Sequence, residues 1–138
     1  KKNYLILRFS NIYGEKSKKG IISLILKSIK NKNLFRFDNI KTFKNFIYVN
    51  DVVKTIRVLI NKNVKNKIIN IGNENIRFKE LANMLQKITK NNFEFSNKNL
   101  NINLTLSQKI DTSLIKSIIN QNSFQNLEKY LKNEIRNR

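Results

Sequence analysis

Asn11 stands two residues after Phe9, at the end of a short apolar run, and is followed by Tyr13-Gly14. A side-chain amide at the carboxyl end of a buried strand can donate to a phosphate or sugar oxygen without bringing charge. Ligands of open α/β sheets collect at such strand ends. The same amide can close its own loop backbone, a common role of asparagine, and spacing alone favours that plainer role. Gly20-Ile21-Ile22 opens a helical pattern whose free N–H groups make a ready anion site. Phe35 and Phe37 alternate with Leu34 and Arg36, so on a strand the two rings share one face. There they either fill a core or stack on a flat ligand. The chain has no His, Cys, Pro or Trp. Zinc fingers, Ser–His–Asp or Cys–His triads and disulfide frameworks are thereby excluded. Its nine carboxylates are scattered, which argues against an all-oxygen metal cage.

These residues need elements to position them. Tyr4 to Phe9 reads as a strand buried on both faces, as in a parallel sheet. Asn11 to Lys19 is polar and reads as a loop. Ile21 to Lys32 reads as a well-buried helix, Leu34 to Phe37 and Phe46 to Val49 as strands. Asn50 or Asp51 caps a helix to about Ile60. A third strand runs from Lys67 to Ile71 and ends at Gly72. Phe78, Leu81, Ala82, Leu85 and Ile88 mark an amphipathic helix, and Phe93 to Phe95 a short strand. Ser96 to Ser107 is Asn-rich and unpatterned. Asp111 or Thr112 caps a short helix, and Phe124, Leu127, Leu131 and Ile135 mark a last one. The alternation of strands and helices is that of an α/β fold, and the 138 residues suffice for one domain.

The net charge is +19. It invites a polyanion partner, but composition offers a plainer source. Ile, Lys and Asn, the residues of A/T-only codons, make up about half of the chain, and Ala occurs once, at Ala82. Coding drift on a solvated surface is the favoured explanation of the charge. Nothing resembles a signal peptide or a span. The longest apolar run, Ile21 to Leu26, is far short of the ~20 residues that a span needs. A cytoplasmic protein with no membrane partner is expected. The chain opens Lys1-Lys2, without Met, on a strand that calls for neighbours on both sides. A start further upstream is therefore expected.

Leu7-Arg8-Phe9-Ser10-Asn11-Ile12-Tyr13-Gly14 resembles the "LRxxNxYG" segment of extended short-chain dehydrogenase/reductases, the NAD-dependent nucleotide-sugar epimerases and dehydratases. Gly20-Ile21-Ile22-Ser23 sits at that family's "GxIP" helix start. Leu34 to Phe46 has the length of its "LTIYGDGSQTRDF". Phe46 to Val52 is close to "FIYVDDV", Ile69 to Gly72 to "YNIG", Phe78 to Ala82 to "SIKELA", and Asp111 to Lys116 to "DTSKAK". The landmarks keep the family's order over nearly the whole chain.

The resemblance implies the C-terminal part of a Rossmann-like fold: the last parallel strand plus the small substrate-binding subdomain, with the NAD-binding part absent from residues 1–138. The three glycines, at 14, 20 and 72, make no GxxGxxG turn. The residues four after Tyr4, Tyr13, Tyr48 and Tyr130 are Arg8, Ser17, Val52 and Glu134, so no Tyr-x-x-x-Lys is present. No catalytic residue is assigned, and the catalytic groups are expected upstream of residue 1. The resemblance places Asn11, Gly20, Ile21, Phe35, Phe37 and Lys44 around a nucleotide-diphosphate sugar. Lys44 stands at the family's diphosphate-gripping Arg. Phe9 and Ser10 fall near the nicotinamide of NAD or NADP. Asp51 is assigned mainly to helix capping. The chain departs from the family at Ser23 for Pro, at Asp38-Asn39-Ile40 for a Gly-x-Gly turn, and at Asn45 for Asp. Asn101 and Leu104 stand where an Arg and an Asp bind the nucleotide. A homodimer is implied for the complete protein. Two other readings compete: a basic α/β module that binds nucleic acid, and a non-catalytic relic of the family. The even spread of Lys and the apolar-face positions of most Phe speak against the first.

Overall fold

The computed structural model describes residues 2–33, 35–37, 39–90, 94–95 and 109–137. Its strands are β1 (Leu5–Phe9), β2 (Asn11–Tyr13), β3 (Arg36–Phe37), β4 (Phe43–Tyr48), β5 (Lys67–Ile71), β6 (Glu74–Arg77) and β7 (Glu94–Phe95). Its helices are α1 (Ile21–Lys30), α2 (Val49–Asn61), α3 (Phe78–Thr89), α4 (Ser113–Ile118) and α5 (Leu127–Arg136). β1 pairs parallel with β5, Leu7 opposite Ile69. β2 pairs parallel with β4, Asn11 opposite Phe46, and β6 closes the other edge of β4 antiparallel. β3 and β7 form a short parallel pair.

One extended segment serves two sheets. It leaves β1 at Phe9, and Ser10 donates its N–H to the Ile71 carbonyl (2.9 Å) before β2 joins β4. β4 is the wall between two cores. Neighbouring residues of a strand point to opposite faces, so Phe46 enters one core and Ile47 the other. The first core gathers Tyr13, Ile22, Ile25, Leu26, Phe46, Leu81, Leu85, Tyr130 and Leu131 beneath α1, α3 and α5. The second joins Ile47, Val52, Leu59, Ile69, Ile71 and Ile115.

The helices follow their patterns. In α1, Ile22, Ile25 and Leu26 are buried, and Lys27 and Lys30 in the last turn suit the negative end of its dipole. Glu80 reaches back to the Arg77 N–H (3.0 Å) at the start of α3. The Asn126 side chain accepts from the Lys129 N–H (3.1 Å) and caps α5.

Several expectations need correction. β1 is not buried on both faces: Leu5 and Leu7 pack on the second core, while Ile6 is 48% exposed. Among the described residues, nothing covers that second face. Residues 11–13 form a strand, not a loop, because β4 offers them a parallel partner. β6 was not foreseen, since Glu74 and Asn75 look like loop residues although Ile76 turns inward. α1 ends at Lys30, and Leu24 on its outer side is 54% exposed. The helix after β4 starts at Val49 with Tyr48 as its N-cap, so neither Asn50 nor Asp51 caps it. Asp51 lies inside the first turn, buried, and serves a distant loop instead. Phe124 packs against the second core outside α5. Leu34, Phe93 and the segment 96–107, with Asn101 and Leu104, lie outside the described residues.

Candidate functional site

A cleft of about 350 Å³ opens between β2, the loop after it and α1. Its floor is Asn11, Ile12, Tyr13 and Phe46. One wall is the segment from Gly14 to Gly20, the other the side of α1 that carries Ser23, Lys27 and Lys30. Those three residues recur at helical spacing and so share one face. Gly20 makes the turn between the walls: its φ of 87° lies in the left-handed region that favours glycine. The wall segment is tied in place. Ser17 N–H donates to the Gly14 carbonyl (3.1 Å), Ser17 Oγ to the Lys19 carbonyl (2.9 Å), and Ser23 Oγ to the Ser17 carbonyl (2.8 Å).

The expected site residues fall into two groups. Asn11, Gly20 and Ile21 line the cleft together. Asn11 also does what spacing alone favours, since its Nδ2 donates to the Asn45 carbonyl (2.9 Å). Phe35, Phe37, Lys44, Phe9 and Ser10 do not line it. Phe37 is 1% exposed and packs in the first core between Phe35 (5.0 Å between ring centres) and Phe78 (5.6 Å). Lys44 lies half-buried on β4, opposite Ile76 of β6. Phe9 is 44% exposed, and the Ser10 hydroxyl beside it is buried without a hydrogen-bond partner among the described residues.

Beneath the cleft runs an uncharged network that sequence reasoning passed over. Fully buried Asn45 donates from Nδ2 to Asn75 Oδ1 (3.0 Å) and accepts the Asn73 N–H on Oδ1 (3.1 Å). Asn75 in turn donates to the Ile110 carbonyl (3.2 Å) and accepts its N–H (3.1 Å). An amide both donates and accepts, which is what this position demands; an ionised Asp could only accept. The departure from the family's Asp at residue 45 was visible, but its partners were not. The turn without glycines closes through Asn39, whose Oδ1 accepts the Lys41 N–H (2.9 Å) while its carbonyl accepts from Thr42 (3.2 Å).

Two carboxylates hold the entry to α5. Asp51 Oδ2 accepts the Gln125 N–H (2.6 Å), and Lys54 Nζ lies 3.3 Å from Oδ1. Glu74 accepts the Leu127 N–H on Oε1 (2.8 Å) and the Asn126 amide on Oε2 (3.0 Å). Burial raises the Glu74 pKa above the usual glutamate value, against the lowering effect of the Leu127 N–H. Tyr13, Tyr48 and Tyr130 pack around one another with ring centres 4.9 to 5.7 Å apart. Burial pushes the Tyr13 phenol well above its ordinary range, and it donates to the Gln125 carbonyl (3.0 Å). The hydrogen bond that Tyr48 donates to Glu15 (2.6 Å) pushes its pKa up to about 12. Neither phenol is poised to act as a base near neutral pH. Among the described residues, no cluster of three or more His, Cys, Asp or Glu is placed to hold a metal, and no helix is long and apolar enough to cross a membrane.

The cleft's charge was also missed. Lys18, Lys19, Lys27 and Lys30 line it against a single carboxylate, Glu15. The spacing of Ser23, Lys27 and Lys30 was the available signal, hidden by the abundance of lysine elsewhere.

Known proteins resemble this chain in sequence and fold. A protein of Methanocaldococcus jannaschii assigned as a UDP-glucose 4-epimerase is 42% identical over 74 residues, which cover 50% of this chain and 24% of that protein. A variant of the UDP-glucuronic acid 4-epimerase of Bacillus cereus, solved with a fluorinated UDP-sugar and NAD, superposes with a TM-score of 0.74 at 19% identity, covering 96% of this chain and 44% of that one. The UDP-glucose 4-epimerase of Thermotoga maritima, solved with UDP-glucose, gives 0.69 at 19% identity, covering 97% and 45%. An NAD-dependent NDP-hexosamine 5,6-dehydratase gives 0.76 at 18% identity, covering 95% and 44%. The chain thus spans less than half the length of these relatives and shares their mixed α/β, Rossmann-like fold. The sequence profile of the NAD dependent epimerase/dehydratase family matches residues 1–72, more than half of the chain. The chain is a member of that family, of the extended short-chain dehydrogenase/reductase type.

Proposed function

We propose that residues 1–138 are the substrate-binding part of an NAD-dependent nucleotide-sugar epimerase or dehydratase. The groups that perform the chemistry then belong to polypeptide beyond these residues. The convergence of Asn11, Gly20 and Ile21 on one basic cleft is the observation that carries this reading. The family resemblance assigns these three positions to the nucleotide-sugar, and they come together although eight residues lie between Asn11 and Gly20.

In this role the chain binds and orients. The Asn11 amide and the cleft's ammonium groups meet the phosphate oxygens of the ligand and hold its sugar toward the reacting centre. Such positioning supplies rate without any proton transfer by this chain. The chemistry that a bound NAD would supply is acceptance and return of a hydride at a sugar carbon. The residues here fit one edge of it: Phe9 offers an exposed ring at the carboxyl end of β1, and the Ser10 hydroxyl is an unsatisfied polar group beside it. The sequence carries no Tyr-x-x-x-Lys pair, and the Tyr13 and Tyr48 phenols are both held above their ordinary range, which disfavours either as the group that takes the sugar hydroxyl proton.

The test is to incubate the purified chain with NAD and UDP-glucose. Binding of UDP-glucose, read by ligand-observed NMR, is expected, with no isomerised, dehydrated or oxidised product. Turnover by the chain alone overturns the division of labour. Absence of UDP-glucose binding, and of binding to UDP-glucuronic acid in a parallel titration, overturns the assignment to UDP-sugars.

A further inference from the structure

We propose that the cleft is an anion site in which Lys18, Lys19, Lys27 and Lys30, rather than Lys44, hold a polyphosphate group. The proposal deepens the nucleotide-sugar reading by naming which charges grip the diphosphate. Four ammonium groups line the cleft and one carboxylate faces them. That carboxylate, Glu15, is already engaged by the Tyr48 hydroxyl. Among the described residues none of the four lysines is paired with an acid, and what sets them apart from the chain's other lysines is that they converge on one cleft. Four unpaired like charges around about 350 Å³ repel one another, and a bound polyanion turns that repulsion into attraction.

The two walls bring their charges by different means. Lys27 and Lys30 ride on α1, one turn apart, and are fixed by the helix. Lys18 and Lys19 sit on the segment tied down by the Ser17 and Ser23 hydrogen bonds. Asn11 on the floor adds an uncharged polar group. Lys44 does not line the cleft: β4 carries it opposite Ile76 of β6. The cleft is at the small end of the ~300–1,000 Å³ typical of ligand pockets. It has room for the charged middle of a nucleotide-sugar rather than for all of it. Ammonium groups act as point charges and impose no planar fork on a phosphate. Recognition therefore rests on charge, depends little on the base, and weakens with salt.

The probe is inorganic pyrophosphate, titrated into the full 138-residue chain by calorimetry at low and at physiological salt. UDP-glucose is titrated in parallel. The variants are Lys27→Gln/Lys30→Gln, Lys44→Ala, and Lys65→Gln/Lys67→Gln as a control for charge lost elsewhere, with folding checked by circular dichroism. The expected result is pyrophosphate binding that falls about tenfold or more in the Lys27/Lys30 variant and keeps its affinity in the control. Lack of pyrophosphate binding, equal loss in the control, or loss confined to Lys44→Ala overturns the proposal. UDP-glucose binding that depends on Lys44 alone preserves the nucleotide-sugar reading and overturns this one. Lysine-dependent pyrophosphate binding without UDP-glucose binding does the reverse.

Discussion

The two cores share β4 and differ in how they are closed. On the Phe46 side, three helices cover a three-stranded sheet, and Tyr13, Tyr48 and Tyr130 seal the end at which α5 docks. On the Ile47 side, α2 and α4 lie against one face of the β1–β5 pair, while Ile6 and Ile68, directly opposite each other, stay 48% and 45% exposed on the other. A two-stranded parallel pair with one apolar face in water gains little from that face. The contrast places the larger closed core, and the cleft above it, on the Phe46 side. The Ile47 side is held mainly by what packs beneath it.

The largest expected effect lies where the closed core meets the shared wall. Phe46→Ala should cost about 3–5 kcal/mol in urea unfolding, the usual range for removing a buried aromatic ring. A loss near zero would erase the distinction between the cores. Next comes the amide network. Asn45→Asp should cost about 1–3 kcal/mol, because a carboxylate cannot donate to Asn75 Oδ1 and is left facing it. Equal melting temperatures for the two proteins would show that the network carries no stability.

A smaller effect belongs to pH. Burial raises the Glu74 pKa, so in the window just above the ordinary glutamate value the folded state binds more protons than the unfolded one. Glu74 thus contributes stability that is present below that value and lost as pH rises through its raised pKa. Glu74→Gln should remove this downward slope, measured as urea midpoints across the window. An unchanged slope would assign it to other groups. The smallest effect is expected on the open face: Ile6→Ser should stay within about 0.5 kcal/mol of the parent protein, as exposed substitutions do. A large loss there would mean that the β1–β5 face is covered in solution.

Much of this was legible from sequence. Apolar runs marked β1, β4 and β5, and helical spacing marked α1, α3 and α5, because those patterns record which face is buried. β2 was not legible: Asn11-Ile12-Tyr13 becomes a strand only through its partner β4, and pairing over a separation of 35 residues leaves no local trace. Asp51 looked like a cap because Asp commonly is one; its true partner, the Gln125 N–H, is 74 residues away. Asn11, Gly20 and Ile21 were found through the family's motif order. The lysines of the cleft were not, because lysine is abundant along the whole chain and hides the few that converge.

Gly72 follows β5 where the chain passes against Asn45. A Cβ placed there would lie 2.9 Å from Asn45 Cγ and closer still to Oδ1. Residue 72 therefore has to stay without a side chain while Asn45 keeps its place. A larger residue at 72 displaces the Asn45 amide, and through it the Asn73 N–H and the Asn75 side chain that the amide holds. The absent side chain at 72 is thus what leaves room for the amide network.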